Sequence, residues 1–422
     1  MRVWLIKIGE PIPVVDGPHG RWMRTGLFAQ ALAARGHEVL WWTSAFEHAR
    51  KRHRAEDDKI VQVSDSFRIW MMRSRGYRSG RSIGRILDHM AIARRFRRLA
   101  VTQPAPDIIV SGMPTPGLSL AAVEYGLARN VPVVLDMRDM WPECFVWSAP
   151  KLVRPLVYLA SLPAARALHR AASRATAIVG HTRAFVEWGL RYAGRAAGPL
   201  DRDFPHGYPE RSPDPGEIQQ ARQFWAERGI SQNTDRFIAC FFGYMGRDFD
   251  METVIAAAGM LEKQGVPVTF VLCGTGGSLE RYKSLAQGLP NVVFPGLVSF
   301  SQIWTLMRLS SVGLAPYFNT KSFCASIPNK AIEYFSGSLP AVSSLQGLLA
   351  ELLEENGCGV TYEPGKVEQL AAALRGLYES PERLGQMSAK AHGLFKKRFV
   401  AEKVYGEMVD YLEEVVASHR PD

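Results

Sequence analysis

The residues best placed to do chemistry lie in Ser326-Ile327-Pro328-Asn329-Lys330-Ala331-Ile332-Glu333-Tyr334-Phe335-Ser336-Gly337-Ser338-Leu339-Pro340. This segment reads as a loop feeding a short helix that ends near Gly337. The first amides of a helix have no partner within it and present partial positive charge to an anion such as a diphosphate. Lys330 would neutralise that anion. Glu333 stands one turn further along the same face, where its carboxylate can accept both hydroxyls of a ribose. The plainer reading is a Lys–Glu helix pair worth a few tenths of a kcal/mol.

Glycine-rich turns follow several apolar runs. Gly243-Tyr244-Met245-Gly246-Arg247 follows Phe237–Phe242, and Gly274-Thr275-Gly276-Gly277 follows Val268–Cys273. Glycine lets backbone N–H groups approach a ligand closely, and Arg247 can fork onto phosphate oxygens. Near the start, Gly9–Arg21 joins a first apolar run to a helical pattern. Gly17 and Gly20 permit close approach there, and Arg21 and Arg24 would add charge. This loop is not G-x-G-x-x-G, which disfavours dinucleotide binding. Asp136-Met137-Arg138-Asp139-Met140-Trp141-Pro142-Glu143 follows another apolar run. Its carboxylates either orient hydroxyls and accept a proton or form a structural Asp–Arg pair beside a buried tryptophan.

The elements that must position these loops repeat one rhythm: apolar run, small-residue turn, helical pattern. Val3–Ile8, Glu38–Thr43, Asp107–Ser111, Pro132–Asp136 and Ala177–His181 read as strands, with a helix over Trp22–Arg35. A proline-rich connection from Asp201 to Asp235 interrupts the rhythm and contains one helix, Glu217–Arg228. It resumes with Phe237–Phe242, the helix Met251–Gln264, Val268–Cys273, Val292–Pro295, Val312–Ala315 and Gly359–Tyr362. Helical sequence begins near Glu368, and a last helix covers Ala401–Ala417. Continuous apolar strands between helices predict parallel sheets covered on both faces. The expected fold class is α/β, with two doubly wound domains facing across a cleft and ligands beyond the carboxyl ends of the strands. The predicted division is 1–205, 206–400, and a terminal segment 401–422.

The chain has 422 residues, of which 47% are hydrophobic and 22% charged, which excludes a disordered or fibrous chain. No apolar run approaches the roughly 20 residues that span a bilayer. Met1 leads directly into a strand-like run, which reads as cytoplasmic. Five widely spaced cysteines fit a reducing compartment and argue against a disulfide framework or a zinc site. The formal net charge of +10 is uneven: residues 1–200 carry +15 and residues 201–422 carry −5. Ten arginines lie between Arg68 and Arg98 against the single acid Asp88. They point to an anionic partner. Nucleic acid is disfavoured, because aromatics are not interleaved with the arginines in a known module. Ile83, Ile86, Leu87 and Met90 form an apolar stripe beside them, and Leu152, Val153, Leu156 and Leu159 form another. These stripes either pack on the sheet or meet the inner face of the plasma membrane.

The whole pattern resembles family 4 glycosyltransferases. Ile327–Tyr334 followed by Gly337 and Pro340 is similar to that family's nucleotide-sugar motif. Asp136–Glu143 resembles the Asp-x-Arg-Asp-x-Trp-Pro-Glu element of a bacterial polysaccharide branch that includes N-acetylfucosamine transferases. Arg35-Gly36-His37-Glu38-Val39 and Phe204-Pro205-His206-Gly207 also match recurrent segments. The resemblance implies a GT-B fold whose carboxyl-terminal domain holds the nucleotide and whose last helix crosses back to the first domain. It implies that Glu333 binds the donor ribose and that Arg247 and Lys330 contact its diphosphate with the Ser326, Ile327 and Pro328 amides. It places Gly246, Gly274, Gly276 and Val298 around the nucleotide, with Gly17 and Gly20 approaching from the other domain. In this family the leaving phosphate is thought to assist deprotonation of the acceptor, so no conventional base is required, although His19, Asp139 and Glu143 are candidate helpers. No metal or other cofactor is implied. The family motif has an earlier glutamate where Ala325 stands here, Glu252 replaces a basic residue, and His206 replaces an asparagine.

The expectation is therefore a retaining, metal-independent hexosyltransferase. It moves a sugar from a nucleoside diphosphate, UDP ahead of GDP, to a hydroxyl of a lipid-diphosphate-linked or growing bacterial glycan. Arg68–Arg98 would hold it at an anionic membrane surface. The alternative is a decayed nucleotide-binding scaffold protein, suggested by Ala325.

Overall fold

The computed structural model describes residues 1–17, 20–80, 82–231 and 237–419. The chain divides into two compact units, one built from 1–205 with 401–422 and the other from 206–400.

The first unit is built on a seven-stranded sheet. Its spatial order is Lys59–Ser64, Phe67–Met72, Glu38–Ser44, Arg2–Ile6, Ile108–Gly112, Val133–Met137, Ala177–Gly180. Six strands are parallel, and their near-continuous apolar sequences fit burial on both faces. Lys59–Ser64 departs from the all-parallel expectation and pairs antiparallel with Phe67–Met72. It is an edge strand with mostly exposed residues, so its alternation carries little apolar signal. Trp4, Trp42, Trp70 and Phe96 pack one face; Trp42 and Trp70 stack with centroids 4.6 Å apart.

The helix Ala401–His419 covers the other face. Val404, Tyr405, Met408, Val409, Leu412, Val415 and Val416 recur at helical spacing and are buried against Phe28, Leu32 and the strands. Tyr411 donates to the carbonyl of Leu200 at 2.8 Å, and Arg202 pairs with Glu414 at 2.6 Å.

The second unit has a six-stranded parallel sheet: Val292–Gly296, Val268–Cys273, Phe237–Phe242, Val312–Ala315, Ala341–Ser343, Gly359–Thr361. The expected helix at Glu217–Arg228 begins earlier and covers Pro215–Ala226. Asp214 and Glu217 form a reciprocal capping box that places Pro215 in the first turn. In both sheets the strand order reverses beside the first strand of the unit, between Arg2–Ile6 and Ile108–Gly112 and between Phe237–Phe242 and Val312–Ala315. Such a switch point opens a crevice at the carboxyl ends of the strands.

Candidate functional site

At the switch point of the second unit, the helix Asn329–Ser336 starts after Pro328, and no side chain caps it. Ala331, Ile332, Tyr334 and Phe335 anchor it in the core. Tyr334 donates to the carbonyl of Leu314 at 2.8 Å. Gly313 makes room for that ring, since a Cβ there would lie 2.3 Å from it. This packing fixes the rotation of the helix and so the direction of Lys330 and Glu333, both buried.

Lys330 reaches under the first glycine loop. Its Nζ donates to the carbonyl of Phe242, the last residue of the central strand. It lies 4.1 Å from the centre of the Phe241 ring, near enough for a cation–π attraction. A Cβ on Gly243 would stand 2.8 Å from Nζ. Glu333 accepts a hydrogen bond from the Tyr208 hydroxyl at 3.0 Å. Ser326 turns its hydroxyl to the carbonyl of Phe323 at 2.9 Å, while Ile327 and Pro328 are buried beside it.

The two glycine loops are locked to each other through backbone. The Met245 N–H donates to the Thr275 carbonyl at 2.8 Å, and the Gly243 N–H to that of Cys273 at 3.1 Å. Gly274 has φ +138°, and a Cβ there would fall 1.8 Å from the Gly243 carbonyl oxygen. Gly276 has φ +158°, and its Cβ would fall 2.3 Å from the Met245 oxygen. These glycines are demanded by loop-to-loop packing. The Gly274 N–H continues the chain of contacts to Gly296 at 2.7 Å. Val298 is half-buried against the core, and Gly246 is buried. Arg247 is exposed and makes no ion pair among the described residues.

The first unit holds a buried ion network at its own switch point. Arg24 and Arg138 flank Asp136, with Nε at 3.0 Å and 2.8 Å from Oδ2. Arg24 also donates to the carbonyls of Phe204 and Pro205, at 2.8 Å and 2.9 Å. The two guanidinium groups hold the Asp136 carboxyl well below the ordinary range, against its burial. Arg138 bonds Glu10, which accepts from Thr25 N–H at 3.0 Å and Thr25 hydroxyl at 2.8 Å. Arg24 is thus committed within the protein, correcting the expectation that it adds charge for an anion. The Asp–Arg pairing at Asp136 and Arg138 is the plainer of the two readings of that loop.

Lys7, at the end of the first strand, donates to the Met113 carbonyl at 2.7 Å. Burial pulls it down to about 8. Asp139 keeps an exposed surface, yet protein atoms crowd around its carboxyl. Burial raises its carboxyl above the ordinary value, against the pull of Lys7, Arg138 and Arg85. Glu143 is separately engaged, accepting from Tyr192 at 2.7 Å and from the Trp188 indole at 3.4 Å. Gly17, at φ +92°, ends the short helix Pro13–Asp16, and Gly20 donates to its carbonyl at 3.0 Å. Asp16 pins this loop by accepting two hydrogen bonds from Arg54, both at 2.7 Å. His19 lies outside the described residues.

Within the second unit, the fold brings together Gly243, Lys330 and the Gly274 loop, and it joins Glu333 to a residue that sequence reasoning missed. Tyr208 lies 125 positions from Glu333 in a proline-rich stretch without periodicity. No cluster of three or more His, Cys, Asp or Glu side chains that could hold a metal ion occurs among the described residues.

Residues 236–380 match the family model of the glycosyl transferases group 1. No curated protein matches the chain. Solved structures match it over nearly their whole length. Sucrose-phosphate synthase from Thermosynechococcus elongatus is 15% identical, with a TM-score of 0.74 and 99% of both chains covered. HepE from Anabaena, in complex with UDP-glucose, is 17% identical with a TM-score of 0.66, over 98% of this chain and 100% of that one. WaaG, a glycosyltransferase involved in lipopolysaccharide biosynthesis, is 17% identical with a TM-score of 0.65, over 96% and 98%. The fold is that of the GT-B glycosyltransferases, two Rossmann-like α/β domains with parallel sheets.

Around the arginine run, Arg68 pairs with Glu38 at 3.2 Å, Arg73 with Asp57 at 2.9 Å, Arg95 with Asp58 at 2.5 Å and Arg97 with Glu124 at 2.9 Å. These pairs offset part of the charge of the run. The apolar stripes do not pack on the sheet. Ile83, Ile86, Leu87 and Met90 are exposed, as are Leu152, Val153, Leu156 and Leu159, with Leu152 at 95%. No helix among the described residues is long and apolar enough to cross a membrane.

Proposed function

We propose that the chain is a retaining hexosyltransferase. It moves a sugar from a nucleoside diphosphate, UDP ahead of GDP, to a hydroxyl of a lipid-linked or growing bacterial glycan, as in the polysaccharide branch it resembles. The observation that carries this reading is the placing of Glu333 and Lys330 on one buried helix face within a segment matching glycosyl transferases group 1. UDP is favoured because HepE is described in complex with UDP and with UDP-glucose.

Departure of the nucleoside diphosphate builds negative charge on its β-phosphate. Fixed donors aimed at that charge lower the barrier without reorganising at the moment of reaction. Here Arg247 is the exposed cation and Lys330 the buried one, with the uncapped start of the helix Asn329–Ser336 contributing its dipole. Glu333, held by Tyr208, accepts the ribose hydroxyls. Retention with a metal-independent mechanism leaves the departing phosphate oxygen to take the acceptor proton, with Asp139 as a helper in the amino-terminal unit. At the surface, the stripes at Ile83–Met90 and Leu152–Leu159 enter the interface of an anionic membrane. The stretch between Glu143 and Glu187 supports this, since it carries six Lys or Arg residues and no acid.

The test is a thermal-shift and calorimetric titration of the full chain with UDP, GDP and their sugars, repeated on Glu333→Gln. A ligand that binds only the folded state raises the melting temperature. UDP stabilisation of the wild type that is lost in the variant is the expected result. Equal binding by Glu333→Gln, or no stabilisation by any nucleotide, overturns the assignment. UDP binding without transfer or hydrolysis of any sugar nucleotide would favour the scaffold reading that Ala325 suggests.

A further inference from the structure

The strand-end loops of the amino-terminal unit bring together a second group of cations, on residues that the donor reading does not use. His48 and Lys51 follow the strand Glu38–Ser44, Tyr77 and Arg85 follow Phe67–Met72, and Trp141 follows Val133–Met137. Lys51 Nζ and the Tyr77 hydroxyl both lie against His48 Nδ1, at 3.0 Å and 2.5 Å. The Lys51 ammonium stands 4.9 Å from the centre of the Tyr77 ring. The Arg85 guanidinium lies 4.4 Å over the Trp141 ring, on which His89 also stacks at 5.8 Å.

Two features exceed what folding requires. Arg85 Nε is shut off from solvent and has no hydrogen-bond partner, while Nη1 donates to the Gly80 carbonyl at 3.0 Å. A buried guanidinium N–H without an acceptor is costly and calls for an explanation beyond packing. Lys51 holds a left-handed backbone, with φ +54°. That conformation is costly for a non-glycine residue and persists where its surroundings dictate it, often at binding sites. Neither cation is in an ion pair with a carboxylate among the described residues. Asp88 is spent on the Gly76 N–H at 2.8 Å, and Asp139 is opposed in its charge by burial. Burial and the neighbouring cations lower His48 to about 4 and His89 to about 3, so both imidazoles are neutral near pH 7.

The hydrocarbon side of the ligand is written on the same helix, Ile83–Ala100. Arg85 and His89 lie one turn apart and both face the Trp141 ring. Ile83, Ile86, Leu87 and Met90 follow the i, i+3, i+4, i+7 pattern on the adjoining stripe and are exposed. A cationic recess bordered by an apolar stripe fits an amphipathic anion.

We propose that this recess is the phosphate subsite for a lipid-linked acceptor. Lys51 and Arg85 hold the phosphate, the Nε2–H of His48 donates to its oxygens, and the stripe from Ile83 to Met90 carries the hydrocarbon. The proposal rests on the reading of a lipid-linked acceptor and asks nothing of the nucleotide site.

The experiment titrates the full chain calorimetrically with farnesyl phosphate below its micelle concentration, with farnesol and with inorganic phosphate. Farnesyl phosphate is expected to bind at least about tenfold more tightly than either of the others, because only it satisfies both halves of the site. Arg85→Gln and Lys51→Gln are each expected to weaken it about tenfold. The surface variant Leu87→Glu does the same without touching a buried group, and circular dichroism melts confirm that all three variants are folded. UDP-induced stabilisation is unchanged in every variant. Wild-type affinity in Arg85→Gln, or farnesol binding as tightly as farnesyl phosphate, overturns the proposal. Selective farnesyl phosphate binding in a protein that ignores UDP would sustain this subsite and defeat the donor assignment alone.

Discussion

The Tyr208 hydroxyl donates to Glu333 Oε1 at 3.0 Å, tying the connection that enters the second unit to the helix bearing the proposed ribose-binding acid. The Tyr208 N–H in turn donates to the Phe399 carbonyl at 2.8 Å. The carboxylate is therefore held by a side chain whose own backbone is fixed, and it need not be ordered when a ribose arrives. A hydrogen bond to a charged group contributes about 1.5–3 kcal/mol. Tyr208→Phe is expected to weaken UDP binding by roughly tenfold. Calorimetry on the variant checks this, with Glu333→Gln as the larger effect.

Lys330 is buried beneath the Gly243 loop, among the rings of Phe241, Phe242 and Phe249, and donates to the Phe242 carbonyl. Its loss leaves that buried carbonyl unsatisfied, a cost of about 1–3 kcal/mol. Lys330→Met is expected to lower the melting temperature, while turnover falls by about 10²–10³. Steady-state kinetics beside a thermal melt tests both.

Gly274→Ala should damage the fold itself. The added Cβ meets the Gly243 carbonyl oxygen at 1.8 Å on a backbone with φ +138°. A clash with backbone has no flexible side chain to yield, so a loss above about 3 kcal/mol is expected. Gly277→Ala, with nothing within 4 Å of the added atom, is the neutral control. Denaturant melts of the two variants should differ clearly in midpoint.

Asp136 makes acid a threat to the amino-terminal unit. Its folded carboxyl is depressed by Arg24 and Arg138, so the stability it contributes is present above the unfolded value and is lost as pH falls through the folded one. Asp136→Asn leaves two guanidinium groups without their shared anion, a loss of about 3–5 kcal/mol. The variant should melt far below wild type at pH 7, with the gap closing toward strongly acid pH.

His48 and His89 give a second, milder pH dependence. Both fold neutral with depressed values, about 4 and about 3, so the unfolded chain binds more protons below about 6.5. Stability therefore falls as pH drops from about 6.5 toward 4. His89→Phe keeps a ring against Trp141 and should flatten that slope in melts from pH 7 to 4.5.

Much of this molecule was legible from the chain. Strands such as Phe237–Phe242, Val268–Cys273 and Val312–Ala315 are apolar throughout because both sheet faces are covered, and that makes them readable. The segment Ser326–Gly337 announced its helix because Pro328 and Gly337 bracket it. The edge strand Lys59–Ser64 escaped notice, since an exposed edge needs no apolar run. The exposure of Ile83 and Leu152 could not be read either, because an apolar stripe looks the same whether it meets a sheet or solvent.

By itself, then, the sequence determined the alternation of elements, the glycine turns at strand ends and the one-turn spacing of Lys330 and Glu333. These depend on local periodicity and on contacts a few residues long. Tertiary structure alone decided that Arg24 serves Asp136, that Tyr208 holds Glu333, and that Lys51 and Arg85 share a recess with Trp141. Those pairings join residues 34 to 125 positions apart. They are fixed by which strand ends the sheet order sets side by side, which no local pattern records.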